Sequence, residues 1–157
     1  MIAPKLKSFL DLIAYSEGTS TSPITQNNGY DVIVSGIHGP SIFTDYAKHP
    51  FEDGGSVVVR ESPPLISTAA GRYQLLARYW RAYKEQLGLA DFSPASQDAV
   101  AIQQIKERGA LDYIEANNIQ QAIERCSNIW ASFPGNTYAQ GGKGLVELLD
   151  KYSELNA

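Results

Sequence analysis

Apolar residues Leu6, Phe9, Leu10, Ile13 and Ala14 recur at the three- and four-residue spacing that lines one helical face, with Lys7 and Asp11 between them. The pattern predicts a helix from about Lys5 to Ser16. Pro4 stands where a first-turn residue needs no N–H. The period breaks at Gly18, and residues 18–29, rich in Thr, Ser, Asn and Gly, read as loop. Three short β-like runs follow: Tyr30–Val34 after the Asn28-Gly29 turn signal, Ile42–Tyr46, and Ser56–Arg60. Pro63-Pro64 closes that segment. The helical period then returns. Leu75, Leu76, Tyr79, Trp80, Tyr83 and Leu87 form a stripe within Gly71–Leu87, with Gly88 as C-cap. Ser93-Pro94 starts a helix through Ala99, Ile102 and Ile105 to Arg108-Gly109, and a short helix over 110–115 follows. Asn118, with Gln121 three residues on, opens another through Ile123, Cys126 and Trp130 to Pro134-Gly135. Residues 134–144 hold four glycines and read as loop, and Leu145, Leu148, Leu149, Tyr152 and Leu155 mark a last helix.

Helix, small strand-bearing segment, then several helices predicts an α+β fold. The expected arrangement is one domain over residues 1–157, with an irregular β lobe at about 30–66. A helical lobe made of 1–17 and 68–157 would flank a cleft. Glu17 falls at the junction of the first helix and the β lobe, where clefts of this kind tend to lie.

Composition narrows the function. Hydrophobic residues make up 43% and charged residues 19%, which is the balance of an ordinary globular protein. The net charge of −4, without any Lys/Arg cluster, argues against nucleic acid as a partner. No apolar run approaches transmembrane length, and the N-terminus lacks the continuous apolar stretch of a conventional signal peptide. Synthesis and folding in a cytoplasm is the expectation, with no stable membrane association. Cys126, the sole cysteine, cannot form an internal disulfide and sits among apolar helical positions, as an inert buried thiol would. His38 and His49 lack metal-ligand spacing, so neither a metal nor another cofactor is expected. No Gly-rich phosphate loop follows a strand, and no Gly-x-Ser-x-Gly elbow occurs.

Glu17 is the residue with chemistry to offer. A carboxylate in the last turn of a buried helix meets the negative end of the helix dipole and loses water, and both favour the protonated acid. A general acid needs that form near neutral pH. A solvated glutamate beside a C-cap glycine is the alternative from spacing alone. Glycosidases usually pair two carboxylates. Nine residues after Glu17, where phage lysozymes of the T4 type place an aspartate, stands Gln26, and no Thr follows at the matching offset. Asp31, Asp45, Glu52 and Asp53 are the next acids.

Seven blocks carry a specific resemblance. They are Phe9-Leu10-Asp11 with Ala14-Tyr15-Ser16-Glu17-Gly18-Thr19, Gly29–Val34, Phe43–Tyr46, Ser67–Leu76, Gln86–Leu89 with Asp91–Val100, Gln103–Leu111, and Arg125–Ser132. In order, and over about residues 6–140, they resemble the lambda-type phage endolysins, the lambda lysozyme family of lytic transglycosylases. The resemblance implies a lysozyme-like fold and a catalytic acid at Glu17. It implies a cleft tyrosine at Tyr138, in the loop forming one lip, with residues 51–64 as the opposite lip. Gln74, in Gly71-Arg72-Tyr73-Gln74, is similar to the Gly-x-x-Gln element whose glutamine helps hold substrate. Residues 36–41, 51–61 and 141–157 depart from the family pattern. Tyr30, Phe43, Tyr73 and Tyr138 are the aromatics available to stack on sugars, with core packing the alternative for those outside a motif. Asp31 and Asp45 are candidates for a supporting acid should water be the nucleophile.

The implied substrate is the β-1,4 bond between N-acetylmuramic acid and N-acetylglucosamine. The implied chemistry uses the muramoyl C6 hydroxyl as nucleophile, leaving a 1,6-anhydro end. The implied partner is the glycan strand of peptidoglycan, attacked by a monomer. Such a protein would accumulate in the host cytoplasm and reach the wall through a holin lesion, causing lysis. A hydrolase on the same fold and a non-catalytic glycan-binding module are the rival readings.

Overall fold

A computed structural model of the chain describes residues 1–134 and 143–157. The chain divides into two compact units. One comprises Met1–Glu17 with Ala101–Ala157, the other Gly18–Val100. The first boundary falls at the Glu17–Gly18 bond, and the second within a helix.

The first unit is helical. α1 spans Pro4–Glu17 and buries Leu6, Phe9, Leu10, Leu12, Ile13 and Ala14, together with the hydroxyls of Ser8 and Ser16. Burial on more than one stripe makes α1 a core helix. Gly18 ends it at φ +80°, a left-handed backbone that a residue without Cβ adopts freely. α3, Pro94–Glu107, begins in the other unit and continues into this one. α4 (Leu111–Glu115), α5 (Ile119–Cys126) and α6 (Leu145–Leu155) complete the set, and α1 packs on α4 and α6. Phe9 meets Phe133 edge-on with ring centres 6.0 Å apart, and Phe133 meets Trp130 at 6.3 Å. All three rings are buried. The Asn118 side chain caps α5 by accepting from the Gln121 N–H, as the sequence pattern predicts. α5 stops at Cys126 rather than near Trp130, and the chain to Phe133 runs in turns.

The second unit carries two hairpins. β1 (Val32–Gly36) pairs antiparallel with β2 (Gly39–Ile42), and β3 (Val57–Arg60) pairs antiparallel with β4 (Leu65–Ser67). The hairpins approach closely at Gly36. A Cβ there would lie 2.4 Å from both Val57 Cγ1 and Val58 O, so only glycine fits. The strand expected over 42–46 lies earlier, at Gly39–Ile42, and Phe43–Tyr46 is loop. The Leu65–Ser67 strand was hidden behind Pro63-Pro64, which reads as a stop. α2 spans Ala77–Leu87, shorter than the predicted Gly71–Leu87. Gly71–Gln74 is a turn, with Gly71 at φ +89° and Gln74 at φ +52°. Its core is Ala70, Leu75, Trp80, Phe92 and Val100, with Phe43, Tyr83, Leu87 and Leu89 at the edge. Phe92 is the hub, with ring centres 4.9 Å from Trp80 and 4.8 Å from His49.

Candidate active site

Glu17 is the last residue of α1 and is half-buried. Removal of water raises its pKa above the ordinary carboxylate value. Two neighbours oppose that rise without cancelling it: the Ser132 hydroxyl, which donates to the carboxylate, and the positive charge of Lys143. Ser132 is itself placed by the previous turn of α1, since the Ser16 hydroxyl donates to Ser132 Oγ at 2.8 Å. Two consecutive residues of one helix, Ser16 and Glu17, thus grip one serine 116 positions away from the first. A proton on Glu17 sits in an environment that favours keeping it, while one donor stands ready to receive the carboxylate once it leaves. That suits a group that acts first as acid and then as base.

Lys143 lies over the ring of Tyr15 at 4.9 Å, and Lys151 lies over it at 5.0 Å. The Tyr15 hydroxyl donates to Glu147 Oε2 at 2.6 Å, tying the end of α1 to the first turn of α6. Tyr15 therefore fixes the lysine whose field reaches Glu17.

In the second unit the chain leaving Glu17 is pinned at once. Thr19 is buried, and its hydroxyl donates to the Arg72 carbonyl at 2.6 Å. Gly29 passes so close that a Cβ would lie 2.8 Å from the Thr19 carbonyl carbon. Arg72 is buried as well. Its Nε donates to Asn28 O at 2.9 Å, and its guanidinium lies over the rings of Tyr30 and Tyr73 at 5.2 and 5.6 Å. Asp98 Oδ1 accepts from the hydroxyls of Tyr30 (2.9 Å) and Tyr73 (2.6 Å). Burial, then the Asp98 charge, raises both phenol pKa values, so both remain donors. Gln97 closes the knot. Its Oε1 accepts from the Arg72 N–H at 2.9 Å, and its Nε2 donates to Phe92 O at 3.0 Å and Tyr30 O at 3.2 Å.

The site residues expected from sequence fall into distinct settings. Tyr30 and Tyr73 come together on Asp98. Tyr73 is buried, which suits a brace rather than a stacking platform, whereas Tyr30 is half-buried. Asp31 is buried and accepts from the Thr25 hydroxyl and from the Gln26 N–H at 2.9 Å, bracing its own loop. Phe43 is half-buried against Tyr46 and Phe92, with ring centres 5.1 and 6.0 Å away. Gln74 donates from Nε2 to Gly71 O at 2.9 Å and Val32 O at 3.3 Å, and its amide oxygen is left without a partner among the described residues. Tyr138 lies outside the described residues. Cys126 is buried, and burial pushes its thiol up to about 12, the inert cysteine expected. His49 is buried and structural: Nδ1 accepts from the Phe51 N–H at 3.0 Å, so Nε2 carries the hydrogen donated to Leu75 O at 2.8 Å.

Ser132, Lys143, Tyr15, Asp98 and Gln97 were not singled out from the sequence. Tyr15, Ser132, Asp98 and Gln97 lie inside the blocks that carried the resemblance, but nothing in local spacing says what each touches.

Comparison with known proteins adds to this geometry. The family model described as Endolysin matches residues 7–157. The chain is 56% identical over 149 residues to the endolysin of Escherichia phage lambda, covering 94% of this chain and 89% of that one. It is 54% identical over 145 residues to the endolysin of Escherichia phage P2, covering 92% and 88%. Its structure is similar to bacteriophage lambda lysozyme complexed with a chitohexasaccharide, with a TM-score of 0.90 and 53% identity over 100% of this chain and 97% of that one. A second solved structure, of lysozyme from bacteriophage lambda, gives a TM-score of 0.85 at 51% identity, covering 99% of this chain and 96% of that one.

Proposed function

The chain belongs to the endolysin family, has its lysozyme-like α+β fold, and on that premise we propose that it is a lytic transglycosylase of peptidoglycan with Glu17 as its one catalytic acid. The observation carrying this reading is the setting of Glu17. Desolvation favours its proton, and the Ser132 hydroxyl is placed to hold the carboxylate that forms when the proton leaves.

The protonated carboxyl donates to the oxygen of the β-1,4 bond between N-acetylmuramic acid and N-acetylglucosamine. The C1–O bond breaks, and positive charge develops at C1. The muramoyl C6 hydroxyl oxygen closes on C1 while its proton passes to the Glu17 carboxylate. The acid is restored, no water is consumed, and the muramoyl end is left as a 1,6-anhydro sugar. A water nucleophile would call for a second carboxylate as base. Asp31 suits that task poorly, because both of its oxygens already brace the loop at Thr25 and Gln26.

The similar lambda lysozyme was solved with a chitohexasaccharide, which supports a β-1,4-linked amino-sugar strand as the ligand here. Gln74 would accept an N–H from a sugar acetamido group through its unpartnered amide oxygen. Tyr30 and Phe43 would line the strand, with Tyr73 and Asp31 holding the loops beneath. Tyr138, by family resemblance, would contact it from the glycine-rich loop. The enzyme would act as a monomer without a cofactor. It would be held in the host cytoplasm until a holin lesion opens the membrane, and among the described residues no helix is long and apolar enough to cross one itself.

Mass spectrometry of the muropeptides released from sacculi tests the reaction. Ends lighter by one water than free reducing sugars are expected. Free reducing ends would establish the hydrolase instead, and binding without release of products would establish a glycan-binding module.

A further inference from the structure

The second unit also holds a cavity of about 420 Å³ between the β3–β4 hairpin region and the start of α2, lined by Phe51, Ile66, Thr68, Arg78 and Arg81 among others. Its charged lining residues are both arginines. Arg78 and Arg81 stand three residues apart on α2, the spacing that puts two side chains on one helical face.

The acids nearby are committed elsewhere. Glu52 takes the Trp80 indole N–H at 2.6 Å and Lys84 Nζ at 3.0 Å. Asp53 pairs with Lys48 at 2.8 Å. Arg81 gives one N–H to the Glu52 backbone carbonyl at 3.1 Å, and Arg78 gives one to the Tyr79 hydroxyl at 3.1 Å. Neither guanidinium has an ion-pair partner among the described residues. In a chain of net charge −4, this cavity is lined by two exposed arginines and no acid, and guanidinium matches carboxylate in geometry and charge. Beside them Ile66 is 63% exposed, an apolar surface that a ligand would cover. Phe51, Gly54 and Gly55 of the same wall belong to residues 51–64, the segment that family resemblance makes a lip of the glycan cleft.

We propose that this cavity binds the peptide stem of peptidoglycan, with Arg78 and Arg81 taking its carboxylates and Phe51 and Ile66 covering its methyl groups. The inference rests on the reading that peptidoglycan is the substrate, and it makes the enzyme prefer peptide-bearing strands over naked ones. Strands stripped of their stems keep one lactyl carboxylate on each muramic acid but lose the several carboxylates and the methyl groups of the stem, so a bare chain offers the arginines and the apolar wall far less to bind.

The test compares cleavage of intact sacculi with cleavage of strands stripped of peptides by an amidase, for the full chain and for the double variant R78A/R81A. Wild type should favour the peptide-bearing substrate, chiefly through KM. The double variant should lose about tenfold of that preference, the scale of two partly exposed charge contacts, and added salt should erode the wild-type preference in the same way. A wild type without preference overturns the proposal, and so does a double variant whose two rates fall together. Melting temperature checks the fold, with R78Q/R81Q as the milder pair if the alanines unfold it. Calorimetric titration with free stem tetrapeptide separates this proposal from the catalytic one. Were wild type to cut neither substrate, the transglycosylase reading would fall, while arginine-dependent binding of the tetrapeptide would still uphold the cavity assignment and its absence would sink it.

Discussion

Replacing Gln97 with methionine isolates the polar knot beneath the Gly71–Gln74 turn. Methionine keeps the length and unbranched shape of the side chain but removes its hydrogen bonding. Gln97 is buried and satisfies three backbone groups: the Arg72 N–H and the carbonyls of Tyr30 and Phe92. Leaving a buried backbone group unpaired costs about 1–3 kcal/mol, so three set a ceiling of about 9 kcal/mol. Phe92 is fully buried, whereas Tyr30 is half-buried, so water can reach part of the deficit. The expected loss is about 3–5 kcal/mol, a large share of the stability of a domain this size. For a chain of this length each kcal/mol shifts Tm by about 2–4 °C, so calorimetry should record a drop of about 10 °C. Urea unfolding should show a lower midpoint with the slope unchanged. A drop below about 3 °C would refute the reasoning, because it would mean these bonds are replaced without cost. Because Arg72 and Tyr30 are both attached to Gln97, activity at a temperature where the variant stays folded should fall as well, through KM rather than kcat.

Glu17→Gln should lower lytic activity by about two to four orders of magnitude, the usual contribution of a positioned acid, in a turbidity assay on sacculi. The raised pKa of Glu17 means its contribution to stability is complete below the ordinary carboxylate pKa and lost as pH rises through the folded-state value. The variant should therefore melt with wild type in acid and above it in alkali, and a lower Tm throughout would contradict the burial argument. Ser132→Ala removes a donor that lowers the Glu17 pKa, so the alkaline limb of the kcat/KM profile should move to higher pH. An unmoved limb would leave Ser132 with packing alone, since the lost Ser16 bond costs stability but not proton affinity. Burial pulls the Glu52 pKa up, but hydrogen bonds from Trp80 and Lys84 outweigh it and hold it below the ordinary value. Glu52→Gln should then cost about 1–3 kcal/mol at neutral pH, and the gap in Tm should close as pH falls through the lowered folded-state pKa. A gap constant with pH would show the charge to be irrelevant.

The sequence by itself determined the helices whose apolar period is long and whose ends carry strong signals. α1, α3 and α5 begin where Pro4, Pro94 and Asn118 place them, because a cap or a proline acts within one turn, and α6 follows the apolar period from Leu145 to Leu155. Gly18 likewise ends α1 with Glu17 as its last residue. The sequence placed the first strand of the second hairpin but not its partner β4, nor the start of α2, where tertiary pairing overrode the local pattern. Leu75 bonds with Ala70 across the turn at Gly71 instead of entering the helix its apolar period suggests. Nor could it reveal that Tyr73 is a buried brace, that Asp31 ties down its own loop, or that Ser132 meets Glu17. Helical and strand periods encode which face is buried, whereas a hydrogen bond between residues 16 and 132 depends on how the chain returns. One turn of helix made Glu17 a candidate acid beside the alternative of a solvated glutamate, but the burial that raises its pKa and the Ser132 hydroxyl that opposes the rise exist only where the fold brings that serine back.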